Sequence, residues 1–442
     1  MNKINSQRTG ALLEKQRSPL IFIFLTVFID LLGVGIVLPL LPYYVKIVEE
    51  SSVVWLADNR ALVVGALAAS FSLFQFLFTP VLGALSDRFG RRPVLLLSLF
   101  GAGISYLLFG IADRFIFLGV EAVLLVLFIS RIVAGITGGS IATAQAYIAD
   151  VTKPEDRAKG LGLIGAAFGL GFMLGPALGG LLSTVSLEAP AFAAAALTFG
   201  NVIFGYFRLP ESLPLDRRSK AMSLAKLNPF ARLSDVLAKT AIRPLLIGVL
   251  LLNFAFAGLQ NNFAVYTDVR FGWGPMENAF VFAFIGVMAV IMQGFLIRKL
   301  VPAFGEARLA VSGLMLMTIG FALTAFVPQA GLLYLAMGVL ATGSGMATPS
   351  LTSLISRSVS PQEQGSVLGG VQAFNSLMMV LGPLFAGFVF DAVGITAPYI
   401  AGVFLVGAAA LTIGFALRDS FGGRTRAERP VSIEMERNVM AD

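Results

Sequence analysis

The 442 residues contain no cysteine and no histidine. The first absence excludes a disulfide framework, and the two together remove the side chains that build structural zinc and haem sites, so no metal or other cofactor is expected. Charge is also scarce: 13% of the residues are Asp, Glu, Lys or Arg, against roughly 25% in soluble domains. A water-facing surface cannot be made from that supply, and lipid must cover most of the chain. No phosphate-cradling loop, metal cluster or nucleophile constellation is present, which argues against an enzyme. The formal net charge is +7, but the basic residues are scattered through short loops between apolar runs and form no basic face, so nucleic acid is not an expected partner.

What the chain has is long apolar runs. Their length matches a hydrocarbon core of about 30 Å crossed at about 1.5 Å per residue. The breaks between them predict twelve transmembrane helices near 19–47, 61–85, 92–112, 118–149, 158–183, 189–208, 241–267, 277–298, 307–327, 330–355, 364–390 and 396–417. The expected architecture is all-α and integral to the membrane, as two pseudo-symmetric six-helix bundles. It divides into a cytoplasmic segment 1–18, a bundle 19–208, a linker 209–240 carrying Arg217, Arg218, Lys220, Lys226, Arg232 and Lys239, a bundle 241–417 and a polar tail 418–442. The first apolar run is too long for a signal peptide and has no small-residue cleavage site. With the N-terminus inside, 27 of the 32 Lys and Arg residues fall in inner segments, leaving Lys46, Arg60, Arg114 and Arg270 outside and Arg131 within a span. That bias predicts both termini in the cytoplasm.

The halves resemble each other at one constant offset. Pro154, Gly162, Gly175, Pro176 and Gly180 recur as Pro361, Gly369, Gly382, Pro383 and Gly387, each 207 residues later. Parallel six-helix repeats of this kind mark a two-lobed transporter working about a central site.

Four segments add chemistry. Between the second and third spans, Gly83, Leu85, Asp87, Arg88, Gly90, Arg91 and Arg92 stand in the order G-x-L-x-D-R-x-G-R-R. Gly83 suits a tightly packed helix end, Asp87 a helix cap or an Arg partner across the lobe interface, and Gly90 a turn. The fifth span carries Gly171, Gly175 and Gly179 at four-residue intervals, with Pro176 and Gly180 beside them. Small residues so spaced make a groove for a close helix neighbour, and Pro176 removes a backbone hydrogen bond. The first span reads Asp30-Leu31-Leu32-Gly33-Val34-Gly35, and the fourth reads Arg131-Ile132-Val133-Ala134-Gly135-Ile136-Thr137-Gly138-Gly139. Together these segments resemble the twelve-helix drug:proton antiporters of the major facilitator superfamily, and among them the tetracycline/proton antiporters, from about Phe28 to Glu211. By that resemblance the Gly83–Arg92 loop is a conformational latch and the fifth-span glycines are the antiporter motif. The chain departs from the tetracycline group at Ser105, where those proteins carry an acid, and in a ninth span free of acids. The resemblance therefore implies antiporter architecture rather than recognition of a metal-chelated substrate.

Asp30 lies about eleven residues, or about 16 Å, into its span, and Arg131 is about as deep from the other side. An ionisable group at that depth costs at least about 2.5 kcal/mol and should face the cavity with a partner. Each is the other's most available partner. Asp30 is the expected proton carrier, with Arg131 modulating it; the alternative is a fixed pair that only joins spans one and four. Glu121, Asp150, Asp268 and Glu277 fall near span ends and are poorer candidates. For substrate, Asn253, Phe256, Gln260 and Asn261 share a face of the seventh span, Gln372, Asn375 and Met379 one of the eleventh, and Gln75 lies in the second. Uncharged amides with phenylalanine and methionine suit varied amphipathic ligands. The sequence thus predicts a monomeric exporter of small amphipathic compounds in exchange for protons, in the plasma membrane. An exporter or uniporter of one metabolite, such as a sugar, siderophore or lipid precursor, would share these motifs.

Overall fold

The computed structural model describes residues 2–153, 156–219, 236, 239–360 and 363–421. Pro154 and Pro361 of the internal repeat, most of the linker and the tail from residue 422 lie outside them. Helices dominate, and no strand occurs among the described residues.

Among the described residues, twelve helices are long and apolar enough to cross a membrane: α1 Leu20–Glu49, α2 Arg60–Phe89, α3 Arg91–Gly110, α4 Val120–Val151, α5 Gly160–Ser183, α6 Ala189–Arg208, α7 Arg243–Phe271, α8 Pro275–Phe304, α9 Glu306–Phe326, α10 Ala330–Arg357, α11 Val367–Val393 and α12 Ala397–Arg418. The expected ends fall within four residues of these, except that α8 runs six residues past the expected end at 298. Glycine sets several of the ends. Gly90 separates α2 from α3 at φ +109°, and Gly305 separates α8 from α9 at φ +77°, both in a region open to glycine and strained for other residues. Gly272 ends α7 in the left-handed conformation, and the next helix opens on Pro275 with the Glu277 carboxylate accepting the Gly274 N–H at 2.8 Å.

Three spans are interrupted. After Val37, α1 continues as short turns, because Pro39 and Pro42 cannot donate backbone hydrogen bonds. The α4 span breaks at Gly138-Gly139 into Val120–Thr137 and Ser140–Val151. The α8 span contains a π-helical stretch, Val290–Leu296. Apolar periodicity carries no sign of the last two.

The duplication seen in the sequence reappears as packing. A Cβ built on Gly175 would lie 2.6 Å from Gly35 Cα of α1, and one on Gly382 would lie 2.6 Å from Phe254 O of α7. One helical turn on, Gly180 abuts Ala279 of α8, and Gly387 abuts Ala61 O of α2 at 2.5 Å. Thus α5 is wedged between α1 and α8 as α11 is between α7 and α2, and the two bundles touch through the glycine-bearing turns of both helices. Such backbone approach is what small residues allow where lipid supplies no hydrophobic drive. The tight contacts lie towards the end of the molecule that carries Arg60. Towards the opposite end, which carries Arg91, Gly83, Gly162, Gly165 and Gly294 have no atom within 4 Å of where a Cβ would stand.

Candidate transport site and its gates

The deepest carboxylate is Asp30, 7% exposed. Its Oδ2 accepts a 2.5 Å hydrogen bond from the Ser140 hydroxyl. Ser140 opens the second half of α4, just past the Gly138-Gly139 break. Asp30 therefore meets the first residue of a half-helix, through a hydroxyl and without a cation. Gln75 of α2 braces the break, donating to Gly138 O at 3.1 Å.

The expected Asp30–Arg131 ion pair does not form. Arg131 Nε donates to Ser130 Oγ and its Nη2 to Ser105 Oγ, both at 3.3 Å, and its guanidinium lies 4.9 Å from the centre of the Phe109 ring. Similar depth in two helices does not give a shared azimuth, and Arg131 turns to α3. Tyr106 of α3, buried, is within electrostatic reach of both charges. Its ring lies on α1 where a Cβ at Gly33 would be 2.9 Å from Tyr106 Cε2.

A cavity of about 370 Å³ lies between α1, α5, α7, α8 and α10. Phe256, Gln260 and Asn261 line it, as the seventh-span stripe predicted, together with Pro176 of the α5 motif. The other expected substrate residues do not. Asn253 folds back to donate to Val249 O at 2.8 Å, Gln75 is engaged at the α4 break, and Gln372, Asn375 and Met379 are absent from the lining. Helical spacing groups residues on a face but does not say which face meets the void. In their place stand Gln293, from the π-helical stretch of α8, and Ser344 of α10. A single amide and a single hydroxyl inside apolar runs gave no pattern to read.

The bundles are tied together at the Arg60 end. Asp268 of α7 receives Arg60 Nη1 at 2.7 Å and Lys46 Nζ at 3.0 Å. Arg60 is also held by Glu49 Oε1 at 2.7 Å and Pro42 O at 3.0 Å. Asp391 of α11 accepts the Leu62 N–H at 2.7 Å and the Ala61 N–H at 3.3 Å, capping α2 from the other bundle. Tyr43 adds a hydrogen bond to Trp273 O at 3.2 Å and receives one from Asn278 at 2.6 Å.

At the Arg91 end the loop motif is a network within one bundle. Asp87 Oδ1 meets Arg91 Nη1 at 2.5 Å, so its partner is four residues away and not across the lobe interface. Arg91 also reaches Ser86 Oγ at 2.7 Å and Asp150 Oδ2 at 3.1 Å. Glu211, beyond α6, accepts the Arg91 N–H at 2.8 Å and that of Arg92 at 3.3 Å, with Arg218 at 3.7 Å. Gly90 turns the chain as expected, whereas the expected tight packing at Gly83 is replaced by open space. Arg88 stacks 5.3 Å from the Phe89 ring centre, and Arg92 5.4 Å from that of Tyr206. Glu211 escaped the sequence reading because it lies 120 residues from the motif it organises. On the other bundle the Lys239 ammonium bonds Glu363, just before α11, and holds its carboxyl below the usual value.

The family model for the Major Facilitator Superfamily matches residues 23–369 and 295–437. The tetracycline resistance protein, class C, of Escherichia coli is 37% identical over 370 residues, covering 84% of this chain and 89% of that protein. Multidrug resistance protein 2 of Bacillus subtilis (strain 168) is 28% identical over 391 residues, covering 86% and 90%. The crystal structure of the human organic anion transporter MFSD10 superposes with a TM-score of 0.68 at 27% identity, over 90% of this chain and 99% of that one. With paired six-helix bundles, a cavity between them and a loop network built on G-x-L-x-D-R-x-G-R-R, the chain belongs to the Major Facilitator Superfamily.

Proposed function

We infer that the chain is a secondary active transporter that exports small amphipathic compounds in exchange for protons by alternating access. The observation that carries this reading is the placement of Asp30 and the cavity on two sides of α1. Asp30 turns to Ser140 of α4, while Gly35 and Pro39 border the cavity. Five residues at about 100° each set Asp30 and Gly35 about 140° apart around the helix. A buried carboxylate with a hydroxyl partner and no ion pair can gain and lose a proton without breaking a salt bridge. The same helix forms part of the substrate wall, so one rigid element feels both events. The tetracycline and multidrug resistance proteins among its relatives support the drug-like substrate class.

The loops support an orientation with both termini in the cytoplasm, which makes the Arg60 end external and the Arg91 end cytoplasmic. The closed contacts then describe a state shut to the outside. Residues 209–240 serve as the linker between bundles, the plasma membrane is the site of action, and one chain is the working unit. The test is substrate-induced proton release from purified wild-type and Asp30→Asn protein. Release by the wild type that disappears in the variant is expected; binding without release in either removes the antiport reading.

A further inference from the structure

Among the described residues, the cavity wall carries no Asp, Glu, Lys or Arg. Its polar side chains are Gln260, Asn261, Gln293 and Ser344. Asn261 gives one amide hydrogen to Ala257 O at 2.9 Å, which leaves its carbonyl free to accept. Gln260, Gln293 and Ser344 make no hydrogen bond to any described residue. Two free amides, a hydroxyl and a spare carbonyl thus converge on one void, offering donors and acceptors without net charge. Phe256, Phe282 and Met337 supply adaptable apolar walls.

The backbone of α8 is bent to this purpose. A π-helical turn closes i→i+5 hydrogen bonds, is rare, and recurs at functional positions. Here the stretch Val290–Leu296 contains Gln293. It also brings Met292 onto α10, where a Cβ at Gly345 would lie 2.8 Å from Met292 Cβ. The adjoining Ser344 and Gly345 border the cavity with Gln293.

A charged ligand in this void would give up water and meet no opposite charge on the described wall. Asp30 does not supply one, being turned to α4 on the far side of α1. Resting on the exporter reading above, we propose that this cavity is the substrate site and that it takes uncharged amphipathic molecules carrying both hydrogen-bond donors and acceptors, held by Gln293, Ser344 and Gln260. Permanent cations and metal-chelated anions are excluded. The volume of about 370 Å³ is at the small end for drug-sized ligands.

The experiment is equilibrium dialysis of the purified full chain in detergent with chloramphenicol, which is uncharged, tetraphenylphosphonium, a fixed cation, and magnesium-chelated tetracycline. Chloramphenicol is expected to bind at least about tenfold more tightly than the other two. Gln293→Leu and Ser344→Ala should each weaken it about fivefold to tenfold, the worth of one hydrogen bond to a neutral ligand, while Thr412→Val on the lipid-facing side of α12 leaves it unchanged. Ser344→Asp should narrow the preference, raising affinity for tetraphenylphosphonium about tenfold. Equal or tighter binding of the cation by the wild type overturns the proposal, as does absence of chloramphenicol binding, or binding unaffected by both Gln293→Leu and Ser344→Ala. Should Ser344→Asp not fold, the two milder variants decide. Proton release on the same samples separates this proposal from the exporter reading. Release provoked by the cation alone overturns the substrate class and keeps antiport, whereas chloramphenicol binding without release keeps the substrate class and removes antiport.

Discussion

Gly35 and Gly175 meet backbone against backbone at the rim of the cavity, with a Cβ on Gly175 falling 2.6 Å from Gly35 Cα. The next residue of α5, Pro176, lines the cavity, as does Gly35 itself. This contact is where the α5 glycine motif touches both the cavity wall and the helix that bears Asp30. A side chain here has no flexible neighbour to displace, so it must push α5 from α1. Gly175→Val is expected to cost about 1 to 3 kcal/mol of stability and to reduce export at least tenfold. Gly165→Ala, facing open space on the same helix, should leave both near the wild-type values. Melting temperatures and drug uptake into everted vesicles compare the two.

Asp30→Asn keeps the size of the side chain and can still accept from Ser140, but it cannot titrate. Ligand affinity is expected within about threefold of wild type, while its dependence on pH is lost and a proton gradient no longer drives accumulation. Ser140→Ala acts differently. It leaves a buried acceptor unmet, which costs about 1 to 3 kcal/mol, so the variant should melt earlier yet still couple. Binding measured from pH 5 to 9 beside thermal unfolding tells a residue that carries the proton from one that only supports it.

Legibility followed physics. The spans were readable because a bilayer demands about twenty apolar residues in a row, and α6 appeared at its observed bounds, Ala189–Arg208. The α5 groove was readable because Gly171, Gly175 and Gly179 repeat at the spacing of one helical face. The pairing of Asp30 was not, since depth along a helix is written in residue number but azimuth between helices is not. The breaks at Gly138-Gly139 and at Val290–Leu296 were also hidden: glycine and apolar residues fit a continuous span equally well. The Asp391 cap on α2 joins positions 329 and 330 residues apart, and no local pattern anticipates it.

At the Arg91 end, Glu211 accepts two successive backbone N–H groups of the loop, those of Arg91 and Arg92. No side chain of the motif can replace that role. Glu211→Gln removes the charge and one of the two acceptors, and it should loosen the loop while Asp87, Arg91 and Asp150 stay joined. The expected result is a two- to fivefold fall in export rate, about 0.5 to 1 kcal/mol, with unchanged ligand affinity. Faster hydrogen exchange at residues 88–92 would accompany it. Unchanged exchange there would show that the network is held by Arg91–Asp150 alone.

The Arg60–Asp268 pair should set the balance between the two access states. Its side chains are 6% and 11% exposed, and breaking a fully buried pair costs about 3 to 5 kcal/mol. Arg60 keeps Glu49 and the Pro42 carbonyl when Asp268 is neutralised, so about 2 kcal/mol is the better figure for Asp268→Asn. That corresponds to on the order of a thirtyfold shift towards the state parted at the Arg60 end. The absence of native cysteine lets the shift be read directly. Spin labels on Val54→Cys and Val393→Cys, exposed positions of opposite bundles at this end, should show a longer distance in Asp268→Asn than in the parent. Labels on Phe207→Cys and Phe304→Cys, exposed at the other end, should show a shorter one. Lengthening at the first pair without shortening at the second would mean that the gate frays locally and that the bundles do not rock as rigid bodies.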